Sequence, residues 1–363
     1  MIGTDSQSSP ITDYFESLGY SVEGTNGDRF VKNFSSVNEE LNSLNDGVGM
    51  RDISNSGIFE LKGNDVLDFL QRITTNSVKT LEKEKVVETI ITSEKGRVID
   101  NVKLLNFVEY QLMITNPANK AKVKSWIEKY IIMDDVKITN ASDRYILLEL
   151  LGPQCNSFVT LLAGGIPGEM DFNRFKVVHS DGIIFFIVKL KFPNEANRFW
   201  LLADPFNGQK LIKNMKDYNG PFDFNFIGAE AYNIYRIEKG IPAAPNEITA
   251  LYNPLELNMV DRVDFKKGCY IGQEVIARLD TYDKVQKKLT SVVLSGNVDP
   301  NEKYNLTDKE GKEAGQVTSV VYSDHFKLNI GLAMVRNAYI EKGTILTGRS
   351  EKSNSVKVIV GKP

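Results

Sequence analysis

The chain has 363 residues, 42% hydrophobic and 25% charged, with a formal net charge of −3, the balance of a globular protein divided into two or three packed units. That charge gives no strong positive field for grasping a nucleic-acid backbone, and no apolar run approaches the ~20 residues that span a bilayer. The N-terminal MIGTDSQSSP lacks the basic segment and apolar core of a secretory signal, so a reducing cytoplasm is the expected compartment.

Residues 1–45 read as an N-terminal arm and lead-in, the first dozen as flexible. Gly57 to Leu61 reads as a strand. Asn64 is placed to cap a helix whose apolar face is Val66, Leu67, Phe69, Leu70 and Ile73. Val86 to Thr92 and Val98 to Phe107 read as the arms of a hairpin turning at Glu94-Lys95-Gly96. A strand at Tyr110 to Thr115 precedes Asn116-Pro117, a cap followed by a proline at the first helical position. The next helix carries Val123, Trp126, Ile127, Tyr130 and Ile131 as an amphipathic stripe expected in the core. Strands are expected at 136–139 and 145–151. Gly152-Pro153 then breaks the chain before a helix at 157–162, and strands at 183–191 and 199–202 continue an α+β pattern. From about Lys284 the texture changes to strand-like runs between turns, which predicts a small antiparallel barrel.

The chain contains only Cys155, Cys269, His179 and His325 as cysteines and histidines, with no zinc-type spacing. Two cysteines cannot supply the four thiolates of an iron–sulfur cluster within one chain, and no metal site is expected. Cys155 begins a helix rich in apolar residues and should be buried. Cys269 lies in the densest stretch of chemistry, Lys267-Gly268-Cys269-Tyr270-Ile271-Gly272-Gln273-Glu274. It reads either as a small residue filling a gap at a turn or as an exposed thiol activated by Lys266 and Lys267. On the local sequence the two readings stand even.

This octet closely resembles the K-G-C-Y-x-G-Q-E motif of the YgfZ family, folate-binding relatives of the glycine cleavage T-protein associated with iron–sulfur enzyme maintenance. The resemblance extends from about residue 46 to the end. It includes Met50-Arg51-Asp52-Ile53-Ser54, Phe69-Leu70-Gln71 through Thr75-Asn76-Ser77-Val78, Lys95-Gly96-Arg97-Val98, Leu151-Gly152-Pro153, Tyr235 to Pro242 and Asn253-Pro254-Leu255-Glu256. It implies an α+β, three-domain cloverleaf: two interleaved α+β units over 46–283, and a C-terminal antiparallel β-barrel over 284–363. It also implies a pocket for tetrahydrofolate or a derivative. In that pocket Asp100 and Asn101 would meet the pterin, Arg236 the charged end, and Glu195 and Glu256 would be further contacts. Cys269, helped by Lys267, would be the functional thiol.

The implied function is accessory, supporting assembly or repair of iron–sulfur clusters in client enzymes through contacts with client or assembly proteins. The alternatives are an aminomethyltransferase of glycine cleavage and a folate-responsive scaffold without chemistry. The chain departs from the T-protein pattern at several positions. Its carboxylate pair appears as Asp100-Asn101, its R-D as Tyr232-Asn233, and its G-Y-T-G-E loop is echoed only by Pro193-Asn194-Glu195. Ser77 stands where an Asp is usual.

Overall fold

The computed structural model describes residues 11–24, 29–191, 198–217, 219–352 and 355–363. The chain divides into two compact units. The first comprises residues to Leu70, Val78–Glu88 and Val102–Tyr232; the second comprises Gln71–Ser77, Thr89–Asn101 and Asn233–Pro363.

The first unit holds a six-stranded sheet in the order Arg174–Ser180, Ile183–Leu190, Arg198–Ala203, Ile146–Leu151, Val48–Asp52 and Phe224–Phe226. Its last pair is parallel and the others are antiparallel. Ile146–Leu151 and Arg198–Ala203 are buried throughout, so apart from Glu149 and Arg198 their residues are apolar on both faces rather than alternating. Phe158, Phe199, Ile212 and Met50 belong to the cluster packed on this sheet, and so do Ile11 and Phe15. The segment expected as a lead-in therefore contributes to a core. Its helix Val37–Asp46 starts at a capping box, with the Ser36 hydroxyl accepting from the Glu39 N–H and the Glu39 carboxylate accepting from the Ser36 N–H.

A five-stranded sheet has the order Val86–Thr92, Val98–Asn106, Gln111–Thr115, Gly57–Lys62 and Lys137–Asn140. The expected hairpin is present, and its tip, including Ser93, Gly96 and Arg97, belongs to the second unit. Asn64 does not cap the helix Val66–Ile73. Its backbone and side-chain N–H groups both donate to Asp135 Oδ2, and Asp65 supplies the first helical carbonyl, accepting from Phe69. Val123 and Ile127 are buried as predicted, but Trp126 is only half-buried, tilted against Tyr130 with ring centroids 5.0 Å apart.

In the second unit the C-terminal strands close into a six-stranded antiparallel barrel. The order is Lys287–Gly296, Leu328–Arg336, Glu313–Ser323, Tyr304–Thr307, Ile345–Arg349 and Ser355–Val360. Closure removes the free sheet edges. Val292, Tyr304, Leu306, Val335 and Val358 fill its interior.

Candidate functional site

Apart from Glu195, which lies outside the described residues, every candidate residue falls in the second unit. The octet is held on three sides. Lys267 is only 8% exposed, and its ammonium donates to the carbonyls of Thr74 and Asn76, each at 2.7 Å. Burial pushes this amine down to about 8, against the opposing pull of Asp264. The lysine charge is thus directed at segment 71–77, where sequence reasoning expected it beside the cysteine. The Ile271 N–H donates to the Arg72 carbonyl at 2.9 Å, and the Thr92 hydroxyl donates to the Ile271 carbonyl at 2.6 Å. Tyr270 packs with Val263, Ile276 and Val285, and burial pushes its phenol up to about 12.

The two glycines of the motif are not equivalent. Gly272 has φ +83°, and a Cβ there would stand 2.4 Å from the Ser93 carbonyl oxygen and 2.9 Å from the Gly96 Cα. Two backbones meet at that point, so only glycine fits. Around Gly268 a Cβ would meet nothing within 4 Å. Gln273, half-buried, and Glu274, exposed, open the helix Gln273–Thr281, which the sequence reading did not find. Cys269 stands exposed at the crest of this turn, and Cys155 is buried.

Asp100 is fully buried on the strand Val98–Asn106 and Asn101, next to it, is half-buried. Arg236 lies on the helix Ala229–Lys239 with 5% exposure. Its Nε donates to Asn233 Oδ1 at 2.8 Å, its Nη1 to the Ile241 carbonyl and Glu247, and its Nη2 to Ser319 Oγ at 3.0 Å. Glu247, with no exposure, also accepts from the Thr318 and Ser319 hydroxyls at 2.6 Å each and from the Ala243 N–H at 3.0 Å. The guanidinium expected to clamp a ligand is built into a buried network, and its partner Glu247 was missed because nothing in the spacing of Glu247, Thr318 and Ser319 announces it. Glu256 Oε2 accepts from the Asn253 N–H at 2.9 Å and pairs with Arg97 Nη1 at 3.1 Å. Asn253 Oδ1 in turn accepts from the N–H groups of Leu255 and Glu256. The N-P-L-E segment is a turn that caps itself.

The first unit contains a second charged cluster that the sequence reading did not pick out. Glu149 is buried; its Oε1 accepts from Trp200 Nε1 at 3.0 Å and lies 3.5 Å from Arg198 Nη1, and its Oε2 lies 3.4 Å from Arg51 Nε. Burial pushes this carboxyl up, but Arg198 and Arg51 outweigh it and hold it below the usual range. The Arg51 guanidinium stacks 3.3 Å from the Tyr232 ring centroid. Burial pushes the neighbouring Asp52 up to about 6, although its carboxylate accepts from the Ser54 N–H. Among the described residues no three His, Cys, Asp or Glu side chains form a group suited to a metal ion.

The chain is 26% identical to an aminomethyltransferase of Phocaeicola vulgatus, covering 97% of this chain and 98% of that one. It is 27% identical to an aminomethyltransferase of Halalkalibacterium halodurans, covering 99% and 98%. The crystal structure of glycine cleavage system aminomethyltransferase T from Bartonella henselae superposes with a TM-score of 0.81 over 97% of this chain and 96% of that one, at 18% identity, a likeness of fold. A barrel family, described as the glycine cleavage T-protein C-terminal barrel domain, matches residues 287–363. Residues 12–267 match the GCVT N-terminal domain, and the chain belongs to that family.

Proposed function

We propose that the protein binds a reduced folate and transfers a one-carbon unit to it, as an aminomethyltransferase. The observation that carries this reading is the end-to-end likeness to chains of that name, which spans nearly all of both partners. The site residues are compatible with the ligand. Asp100 offers a buried carboxylate, the group that accepts hydrogen bonds from the N–H edge of a pterin and holds charge next to a reacting amine. Tetrahydrofolate would supply the nucleophilic amine, and Asp100 would orient that amine and balance the charge that develops on it. Asn101, beside it, donates and accepts hydrogen bonds but cannot exchange a proton at neutral pH.

The test is turnover in a reconstituted glycine-cleavage assay with lipoyl carrier protein and tetrahydrofolate. Activity lost in Asp100→Asn, in a protein that still folds, supports the reading. Folate binding with no turnover would exclude the transferase.

A second reading, a YgfZ-type folate-binding protein that supports iron–sulfur enzymes in the manner of an accessory factor, is favoured by one observation. An exposed cysteine sits on a turn in which Lys267 and Ile271 are tied down. In this reading Cys269→Ala leaves folate binding intact and lowers the activity of iron–sulfur enzymes in a deletion host. Full complementation by Cys269→Ala would remove it.

A further inference from the structure

A cavity of about 420 Å³ lies in the first unit. The helices Cys155–Ala163 and Pro205–Asp217 line it, together with the turn that joins the strands Arg174–Ser180 and Ile183–Leu190. Its volume falls in the range of small-molecule sites. None of the candidate residues described above lines it.

The lining is of two kinds. Leu162, Ile183, Phe185 and Leu211 belong to the core packed on the six-stranded sheet, and here the edge of that core reaches a cavity. Leu161, 53% exposed, adds apolar surface open to solvent. The polar members are Ser180, Asp181 and Asn214, and Asp181 is the one charged residue among the described lining. Among the described residues, none of these three makes a side-chain hydrogen bond or an ion pair. Asp181 at φ +50° and Gly182 at φ +72° form the two-residue hairpin loop between the paired Ser180 and Ile183. Such a loop favours an Asp-Gly pair on its own account. It does not call for an amide from the helix Pro205–Asp217 beside it.

We propose that this cavity binds a small primary amine carrying a short hydrocarbon body. An ammonium has three N–H donors and no acceptor. The Ser180 hydroxyl, the Asp181 carboxylate and the Asn214 amide oxygen supply three acceptors, and the carboxylate supplies the opposite charge. Leu161, Phe185 and their apolar neighbours take the hydrocarbon. A carboxylate ligand of the same length would be repelled by Asp181, and an alcohol would leave that charge unmatched. Charge therefore selects among molecules of one shape.

The test titrates n-hexylamine, n-hexanol and hexanoate into the full chain at low salt, followed by backbone-amide NMR. The amides of Gly182 and Asn214 are expected to shift saturably with the amine, at an affinity about tenfold above that of the alcohol. Hexanoate is expected not to bind, and the amine's advantage should shrink as salt is added. Asp181→Asn keeps the turn, because asparagine tolerates left-handed backbone, and should bring amine and alcohol to equal affinity. Leu161→Trp, a change at an exposed position, should obstruct the cavity and weaken both. Four results would each overturn the site: equal affinity for amine and alcohol in the wild type, an amine advantage that survives Asp181→Asn, binding untouched by Leu161→Trp, or shifts scattered over the surface without saturation.

Discussion

Arg236 shows how a residue that suits a ligand can be committed to the fold. Its guanidinium and the Glu247 carboxylate, with no exposure, form a buried ion pair at 3.2 Å surrounded by Thr318 and Ser319. Removing one partner strands a buried charge, which typically costs about 3–5 kcal/mol. Arg236→Ala should therefore lower the unfolding free energy read from urea denaturation by about that much, and Arg236→Met combined with Glu247→Leu should recover part of it. A stable Arg236→Ala protein with only a folate-binding defect would return this arginine to the ligand. Lys267 gives a pH signature. Its folded pKa is about 8 against 10.5 in the free side chain, so between those values the unfolded chain binds more protons and folding strengthens as pH rises. The full cost of burying the ammonium is present below pH 8. Relative to Lys267→Met, the wild type should gain up to about 3 kcal/mol between pH 8 and 10.5, read from urea unfolding at each pH; a flat difference would show that the amine is solvated. Of the two thiols, exposed Cys269 should react with iodoacetamide well before buried Cys155 in the folded protein. Peptide mass analysis at timed intervals decides the order, and earlier labelling of Cys155 would refute the assignment.

The octet works as an element because its backbone is fastened to two distant segments, 71–77 by Lys267 and Ile271, and the hairpin tip by Thr92 and Gly272. Gly272→Ala forces a side chain into φ +83° and onto the Ser93 carbonyl. The left-handed conformation alone costs about 1–2 kcal/mol, and the clash adds to it, so a fall in melting temperature of several degrees is expected. Gly268→Ala meets open space and should be nearly neutral. Equal effects in differential scanning calorimetry would mean that the turn is not held as described. This contrast also marks what the sequence could convey. The hairpin Val86–Thr92 with Val98–Asn106 and most barrel strands were legible because period-two patterning and turn residues are local signals. The strand Tyr304–Thr307 was not, being four residues long with only Tyr304 and Leu306 buried. The helix Gln273–Thr281 was hidden because its N-cap is a glycine in the left-handed region rather than Ser, Thr or Asp, and Ile276 is its one buried residue. At the site, Cys269 exposure and Cys155 burial followed from local composition. The targets of Lys267 and Arg236 did not: Thr74, Asn76 and Ser319 are remote in sequence and reach them only through the fold, and Glu247, eleven residues from Arg236, lies beyond its helix with no spacing signal to mark it.

At the scale of the chain, the second unit is discontinuous, and its stability should reflect that. The outward faces of barrel strands, with Leu289, Ile330, Leu332 and Met334, share a cluster with Ile237, Ile248 and Tyr252, and also with Ile90 and Val98 from the hairpin. Both hairpin residues are fully buried, so truncating them leaves cavities against the barrel wall. Ile90→Ala should cost about 2–5 kcal/mol and Val98→Ala somewhat less. The loss should register far along the chain. Hydrogen exchange of amides in Lys287–Gly296 and Leu328–Arg336 should speed up by a factor matching the global destabilisation, because these strands form the floor of the shared cluster. The interior of the barrel has its own core of Val292, Tyr304, Leu306 and Val358, so a fragment beginning at Lys287 should retain strand content by circular dichroism. With its outer apolar face uncovered, that fragment should bind a hydrophobic dye and self-associate, since large exposed apolar patches drive association. If Ile90→Ala left exchange in Lys287–Gly296 unchanged while destabilising the protein elsewhere, the hairpin and barrel would be energetically separate. The unit would then be two cores joined only by the chain.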